Sequence, residues 1–141
     1  MRFSTRTEYA IRIMVRLGRR YGGGPVSLNE LADQEGLPLP YLEQIAAQLR
    51  RVGLVTSRMG VKGGYALARR PEAITMADIA LGLEGSLAPV SCLAAGGGPG
   101  ECTHADTPCS AHGFWERLQS TITATLQSVS VADLMKEGAP A

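Results

Sequence analysis

The 141-residue sequence has no long hydrophobic run, and its first residues, MRFSTRTEYA, lack the apolar stretch of a secretory signal. No segment approaches the roughly 18 consecutive apolar residues of a membrane span. Cysteines are few and odd in number, three in all, which argues against a disulfide framework and for a reducing compartment. We therefore expect a cytoplasmic protein with no membrane partner. The length suits one domain with its own core.

Net charge is also nearly absent, at +1, yet the two halves of the chain are oppositely charged. Residues 1–70 carry 12 Lys and Arg against 5 Asp and Glu, a balance of +7. Residues 71–141 carry 2 against 8, a balance of −6. So large a difference within one small domain predicts that the first half meets a polyanion and the second does not.

Helix-start signals are frequent in the first half. A Thr5-x-x-Glu8 capping box predicts a helix from about Thr5, and Ser27-x-x-Glu30 predicts a second one. A third helix opens at Pro40, where the missing N–H of proline is harmless. Because a short glycine-containing turn separates the second and third helices, the pattern indicates a helix-turn-helix.

A basic hairpin follows the third predicted helix. The β-prone runs 54–58 and 65–67 flank a glycine-rich turn, with positive charge on and beside it. A two-stranded hairpin is not stable alone and must lean on the preceding helices. We therefore predict a mostly α fold with a small β-hairpin wing, a winged helix-turn-helix domain over residues 1–84.

All three cysteines and both histidines lie within residues 92–113, CLAAGGGPGECTHADTPCSAHG. The surrounding segment 85–111 shows no helical or strand periodicity, which is uncommon in a compact domain unless the segment is functional or disordered. Thiolates are the ligands of iron–sulfur clusters. Structural zinc favours tight C-x(2–4)-C pairs, and the one tight pair here is Cys109-x2-His112. A cluster is the preferred interpretation, zinc is weaker, and a disulfide switch stays open.

A long C-terminal helix is predicted from about Gly113. Its apolar positions alternate in steps of three and four and form a narrow seam: Trp115, Leu118, Ile122, Thr125 and Val129. Such a seam is either packed core or a dimerisation surface, and the two are compatible. The predicted organisation is thus the winged helix, a cysteine-bearing segment at 85–111, and a dimerisation helix with a C-terminal tail at 112–141.

Three motifs occur together in this chain: the start MRFSTRTEYAIR, the segment PYLEQIAAQLRRVGLVTS followed by GVKGGYALAR, and the cysteine triplet before a long helix. Together they resemble the IscR/NsrR-type (Rrf-two) winged-helix regulators, iron–sulfur proteins that repress or activate bacterial genes. The resemblance reaches about Met135. It implies a homodimer with one winged helix per subunit on a palindromic operator of double-stranded DNA, and not an enzyme with a small-molecule substrate.

The resemblance also implies the functional residues. It implies DNA contacts by five residues: Tyr41, Glu43, Gln44, Arg58 and Lys62. Ser27 and Arg51 are further DNA-contacting candidates. The implied cluster ligands are Cys92, Cys102, Cys109 and His112, with Glu8 as the alternative fourth ligand. Ligation by His112 favours a 2Fe-2S cluster, whereas Glu8 or no protein ligand in its place makes a 4Fe-4S cluster the alternative. A regulator without a cluster, acting by thiol oxidation or through protein partners, is the competing hypothesis.

Two features depart from that family pattern. The cysteine spacing, C-x9-C-x6-C, is longer than the usual five-residue gaps. Met59 stands where the wing commonly carries arginine, and Arg58 precedes it, so Arg58 is expected on the opposite strand face.

At the start of the third helix, Glu43 is suited to accept a hydrogen bond from cytosine N4, and Gln44 is suited to pair bidentately with adenine.

Overall fold

The computed structural model describes residues 2–94 and 109–138, and everything below refers to these two ranges. They contain helices α1 (Thr5–Arg19), α2 (Leu28–Glu35), α3 (Leu39–Arg51), α4 (Met76–Glu84), α5 (His112–Gln127) and α6 (Val131–Lys136), and strands β1 (Val55–Arg58) and β2 (Gly64–Leu67). Short 3-10 turns at Pro71–Ala73 and Ser91–Leu93 complete the order. None of the described helices has the length and apolarity to cross a bilayer.

Helix α1 begins where predicted, but its cap lies one residue earlier. Ser4 Oγ accepts a hydrogen bond from Thr7 N–H at 3.3 Å. The Thr7 side chain is buried, and its hydroxyl donates to Glu84 Oε1 at 2.7 Å. The predicted capping box between Thr5 and Glu8 is therefore wrong, because a serine directly before Thr5 takes the capping position.

The cap of α2 confirms the predicted helix start, and α4 also begins at a side-chain cap. Ser27 Oγ accepts from Glu30 N–H at 3.2 Å, although the Glu30 carboxylate turns to Arg20 instead of back to the cap. Thr75 and Asp78 form a reciprocal capping box at the start of α4. Together these caps fix the register of the helices that frame the domain.

The hydrophobic core lies where α1, α3 and α4 meet, with α2, the hairpin and α6 packed around it. Its largest side chains with almost no exposure are Ile13, Met14, Leu17, Leu31, Leu42, Ile45, Leu49, Ile74, Ile79 and Val131. Nine of the ten lie within residues 1–84, and Val131 of α6 completes this core from the C-terminal part.

The hairpin is antiparallel, and Val55 pairs with Leu67 at its base. A two-bond bridge attaches it to the helices: Val26 and Tyr65 exchange N–H···O=C bonds of 2.8 Å each. Gly64 lies at φ 148°, and a Cβ there would overlap the backbone of Val26. Glycine is therefore required where the wing crosses the strand-like segment before α2.

The C-terminal helix is shorter than predicted. Helix α5 ends at Gln127, so Val129 lies outside it, and Ser130 opens α6 through a capping box with Asp133. Backbone bonds of 2.8 Å join Val129 to Met76 and residue 131 to residue 74. Because residues 128–130 turn the chain back onto the first half, the apolar seam divides between two helices. The proposed division at residue 112 stays a prediction.

Candidate nucleic-acid interface and cysteine segment

The N-terminal part of α3 presents polar groups to solvent, as the sequence predicts. Glu43 and Gln44 are exposed, whereas Tyr41 is half-buried and packs edge-on against Tyr9 with ring centroids 6.3 Å apart. The N-cap of α3 is Pro38, which supplies no side-chain hydrogen bond. The backbone N–H groups of the first turn, except at Pro40, therefore stay available to a phosphate, as at other helix N-termini.

The glutamines of α3 are held by a residue that sequence reasoning missed. Arg6 of α1 donates from Nη2 to Gln44 Oε1 at 2.8 Å and from Nη1 to Gln48 Oε1 at 3.5 Å. Gln48 Nε2 in turn donates to the carbonyl oxygens of Gly82 and Leu83 in α4. Helices α1, α3 and α4 are thus joined by side-chain hydrogen bonds beside the predicted DNA-reading residues.

The wing exposes two cations and two apolar side chains. Arg58 and Lys62 are exposed, and Met59 and Val61 are 95% and 106% exposed. A Cβ at Gly63 would overlap the carbonyl oxygen of Arg58, so this turn requires glycine. The tip is therefore a tight turn with its side chains directed outwards.

The remaining two DNA-contacting candidates lie at helix ends. Ser27 Oγ serves as the cap acceptor of α2, which leaves its hydroxyl hydrogen free to donate to a phosphate. Arg51 is exposed in the last turn of α3, where a cation complements the helix dipole. Both predicted roles in DNA contact stay predictions.

Three arginines in α1 and directly after it are neutralised within the domain. Arg12 donates to Glu35 Oε2 at 2.6 Å and Arg16 donates to Glu35 Oε1, while Arg20 pairs with Glu30 at 2.8 Å. The Glu35 side chain is only 1% exposed. Its burial raises the pKa, but the hydrogen bonds and charges of Arg16 and Arg12 outweigh burial and lower the pKa below its usual value.

The cations of α3 and of the wing tip have no such partners. Across residues 2–94 and 109–138, neither Arg50 nor Arg51 nor the wing cations Arg58 and Lys62 forms a salt bridge. The excess positive charge of the first half is thus left uncompensated at the recognition helix and the hairpin. This arrangement suits a polyanion.

Two of the predicted cluster cysteines flank residues 95–108. Cys92 is half-buried in the 3-10 turn after α4, and Cys109 is exposed just before α5. The backbone N–H of His112 donates to the Cys109 carbonyl at 3.3 Å, and His112 Nε2 lies 3.1 Å from Glu116 Oε1. Cys102 lies outside the described residues. No three potential ligands gather in the part of the chain that is described.

Glu8, the alternative fourth ligand, lies exposed in the first turn of α1. Since Ser4 provides the cap, the Glu8 carboxylate is not occupied by capping as the sequence suggested. Glu8 lies far along the chain from the cysteines, and its role as a cluster ligand stays a prediction.

Comparison with known proteins agrees with this architecture. The family model "Rrf2: Iron-dependent Transcriptional regulator" matches residues 3–137. CymR of Bacillus subtilis is 36% identical over 134 residues, which cover 95% of this chain and 89% of CymR. IscR of Vibrio cholerae is 31% identical over 137 residues, which cover 97% of this chain and 76% of IscR.

Solved structures give the same result. The structure of CymR, "the Global Cysteine Regulator of B. subtilis", superposes with a TM-score of 0.79 at 34% identity, covering 96% of this chain and 97% of that one. T. potens IscR gives 0.76 at 35% identity, with 97% and 88% covered. These relatives are named as regulators, which agrees with the expectation that the chain is not an enzyme. The chain belongs to the Rrf2 family of winged-helix transcriptional regulators.

Proposed function

We propose that this regulator binds a palindromic operator as a homodimer in the cytoplasm and senses iron–sulfur, redox or nitric oxide status through its cysteine segment. The observation that carries DNA binding is the distribution of ion pairs: Arg12 and Arg16 of α1 and Arg20 just after it are paired with glutamates, whereas the cations of α3 and of the wing tip form no salt bridge among the described residues. Cations without partners on a helix and a hairpin are what a phosphate backbone neutralises.

Helix α5 supports the homodimer. It has no buried residue, although it carries Trp115, Leu118 and Ile122 on one seam. Phe114 at its start is 58% exposed and stacks edge-on with Trp115. A 16-residue helix whose apolar seam is only half-buried suits the same helix of a second copy, and a two-fold dimer would match a palindromic operator.

The candidate donors suit an iron–sulfur cluster in chemical type. Cys92, Cys102 and Cys109 would supply thiolates and His112 an imidazole, as in a 2Fe-2S site; with Glu8 in place of His112, a 4Fe-4S site is the alternative. When bound, the cluster supplies an iron centre that reacts with oxidants and nitric oxide. The family model's description as iron-dependent supports this assignment.

The surroundings of His112 support its choice as fourth ligand. The Glu116 carboxylate contacts His112 Nε2, which leaves Nδ1 as the nitrogen available to a metal. A ligating histidine commonly has its second ring nitrogen hydrogen-bonded to a carboxylate. The first turn of α5 has no side-chain cap, so its backbone N–H groups are available to nearby sulfur.

A second candidate function is regulation by cysteine oxidation without a cluster. The similarity to CymR, described as a global cysteine regulator, favours it, and a similar structure of Staphylococcus aureus CymR is of an oxidised form (TM-score 0.76, 28% identity, 99% of this chain and 100% of that one covered). The exposed thiol of Cys109 suits such chemistry.

Contacts at the end of α4 offer a route from the cysteine segment to the DNA-reading helix. Glu84 accepts from the Ser4 backbone N–H at 2.6 Å and from the Thr7 hydroxyl at 2.7 Å. Burial raises the Glu84 pKa, but these hydrogen bonds outweigh it and lower the pKa. Because α4 leads directly into the segment, a change of order there would act on α1 and α3 and alter the spacing of two recognition helices.

Anaerobic purification with visible spectroscopy and iron and sulfide assays tests the sensing proposal. We expect a coloured protein whose cluster content falls when His112 is replaced by alanine and is unchanged in the matched variant Glu8→Ala. Binding to the protein's own promoter should differ between the loaded and the apo protein. A colourless, iron-free protein after reconstitution, with promoter binding that follows thiol oxidation, would support the second candidate instead.

A further inference from the structure

Arg6 determines which way the Gln44 amide points. Arginine carries only hydrogen-bond donors, so the amide atom nearest to it must be the oxygen. The guanidinium reaches Gln44 Oε1 at 2.8 Å and Gln48 Oε1 at 3.5 Å, and it lies between two glutamines one helical turn apart. The orientation of both amides is therefore set by chemistry.

The orientation of the Gln48 amide is supported independently of Arg6. Gln48 Nε2 faces the carbonyl oxygens of Gly82 at 3.4 Å and Leu83 at 3.2 Å, and carbonyl oxygens can only accept. With its nitrogen fixed towards α4, Gln48 must turn its oxygen to Arg6. The arginine is thus held by a side chain that is itself anchored, and it does not merely contact Gln44 in passing.

The consequence falls on the hydrogen bonds that Gln44 offers to DNA. A bidentate pair with adenine requires the amide oxygen to accept from the adenine N6 amino group while the amide nitrogen donates to N7. In this structure one lone pair of that oxygen accepts from Arg6 and the guanidinium lies beside it, whereas Gln44 Nε2 donates to no group among the described residues. Gln44 therefore presents mainly donors, which match the O6 and N7 acceptors of guanine and match the amino group of adenine less well.

We infer that Arg6, a residue of α1 outside the helix-turn-helix, is a specificity-determining residue that makes Gln44 select guanine over adenine in each half-site. The inference rests on the proposed DNA binding through α3. It replaces the bidentate Gln44–adenine contact expected from the sequence. Arg6 acts through Gln44, so removing it should change the base that is preferred and not only the strength of binding.

The test measures binding by fluorescence anisotropy to the protein's own promoter fragment and to duplexes with every base substituted at each half-site position. The proteins are wild type, Arg6→Ala, Gln44→Ala and the double variant, with Arg6→Lys retaining a donor. Arg2→Ala is the matched control, since it removes the same charge from an exposed position that makes no hydrogen bond to α3 in the described structure. Thermal melting confirms that each variant folds.

Wild type should prefer guanine to adenine about tenfold at one position, the value of one hydrogen bond of about 1.4 kcal/mol. Gln44→Ala should remove that preference, Arg6→Ala should turn it towards adenine, and the double variant should behave like Gln44→Ala. Arg6→Lys and Arg2→Ala should keep the guanine preference.

Two results would contradict these expectations, and each has a different consequence. If Arg6→Ala weakens binding equally for all sequences and lowers the salt slope by about one, Arg6 is a phosphate contact and the inference is overturned, while DNA recognition stands. If wild type shows no sequence-dependent binding at all, the proposed function itself fails.

Discussion

Helices α1 and α5 have almost the same length, 15 and 16 residues, and opposite relations to the core. The first buries six residues between its neighbours and joins α2, α3 and α4 by side-chain hydrogen bonds. The second has an apolar seam but no fully buried residue, and Trp115, Leu118 and Ile122 stay half-buried. Since amphipathic helices in water cover their apolar face, we propose that α1 is complete within one chain and that a partner covers the rest of the α5 seam.

The same substitution in both helices gives the sharpest contrast. Ile13→Ala in α1 removes a side chain that is 1% exposed and should lower the free energy of unfolding by about 2–5 kcal/mol. Ile122→Ala in α5 should leave monomer stability nearly unchanged but raise the dimer dissociation constant. Chemical denaturation and sedimentation equilibrium measure the two quantities. Equal losses of monomer stability would contradict the distinction.

Two glycines provide a second pair. A Cβ at Gly18 in α1 would lie 2.8 Å from Met135 Sδ and 2.9 Å from Val131 Cγ1, so Gly18→Ala should destabilise the fold by about 1–2 kcal/mol. A Cβ at Gly113 in α5 meets nothing within 4 Å, and Gly113→Ala should be neutral or stabilise by up to about 1 kcal/mol. Thermal melts of both variants test this. A destabilised Gly113→Ala would show that α5 is packed after all.

Two glutamates give the smallest effects. Glu35→Gln should lower stability by about 1 kcal/mol after allowance for the exposure of its arginine partners, whereas Glu116→Gln on α5 should change it little. Because the folded pKa of Glu35 lies below its ordinary 4.5, its contribution is present above that pH and is lost as the pH falls through the folded pKa. The wild-type and Glu35→Gln denaturation curves should therefore converge in acid. A difference that persists there would point to packing instead of charge.

Local signals predicted much of this fold. The Ser27 cap, the start of the third helix near Pro40 and the glycine-rich hairpin were predicted because they depend on residues a few positions apart. The cap of α1 was misplaced by one residue because Ser4 and Thr5 are both good capping residues. The break at Ser130 was hidden within a continuing apolar repeat.

Sequence patterns missed the contacts between residues that are far apart in the chain. Arg6 lies 38 positions from Gln44, and Thr7 lies 77 from Glu84. Neither pair follows a helical or strand period, so only the tertiary arrangement brings them together. The candidate DNA contacts were predicted by family resemblance, but the side chain that orients one of them needed the structure.

We propose that the cations of α3 and the wing that form no salt bridge contact the DNA backbone. The most direct measurement is the affinity for the protein's own promoter across a salt series, with wild type compared with Arg58→Ala/Lys62→Ala. We expect the logarithm of the affinity to fall steeply with the logarithm of the salt concentration, with a slope of about −0.9 per phosphate neutralised. In the double variant the slope should correspond to up to about two fewer phosphates. Wild-type binding that is flat between low and moderate salt would contradict it.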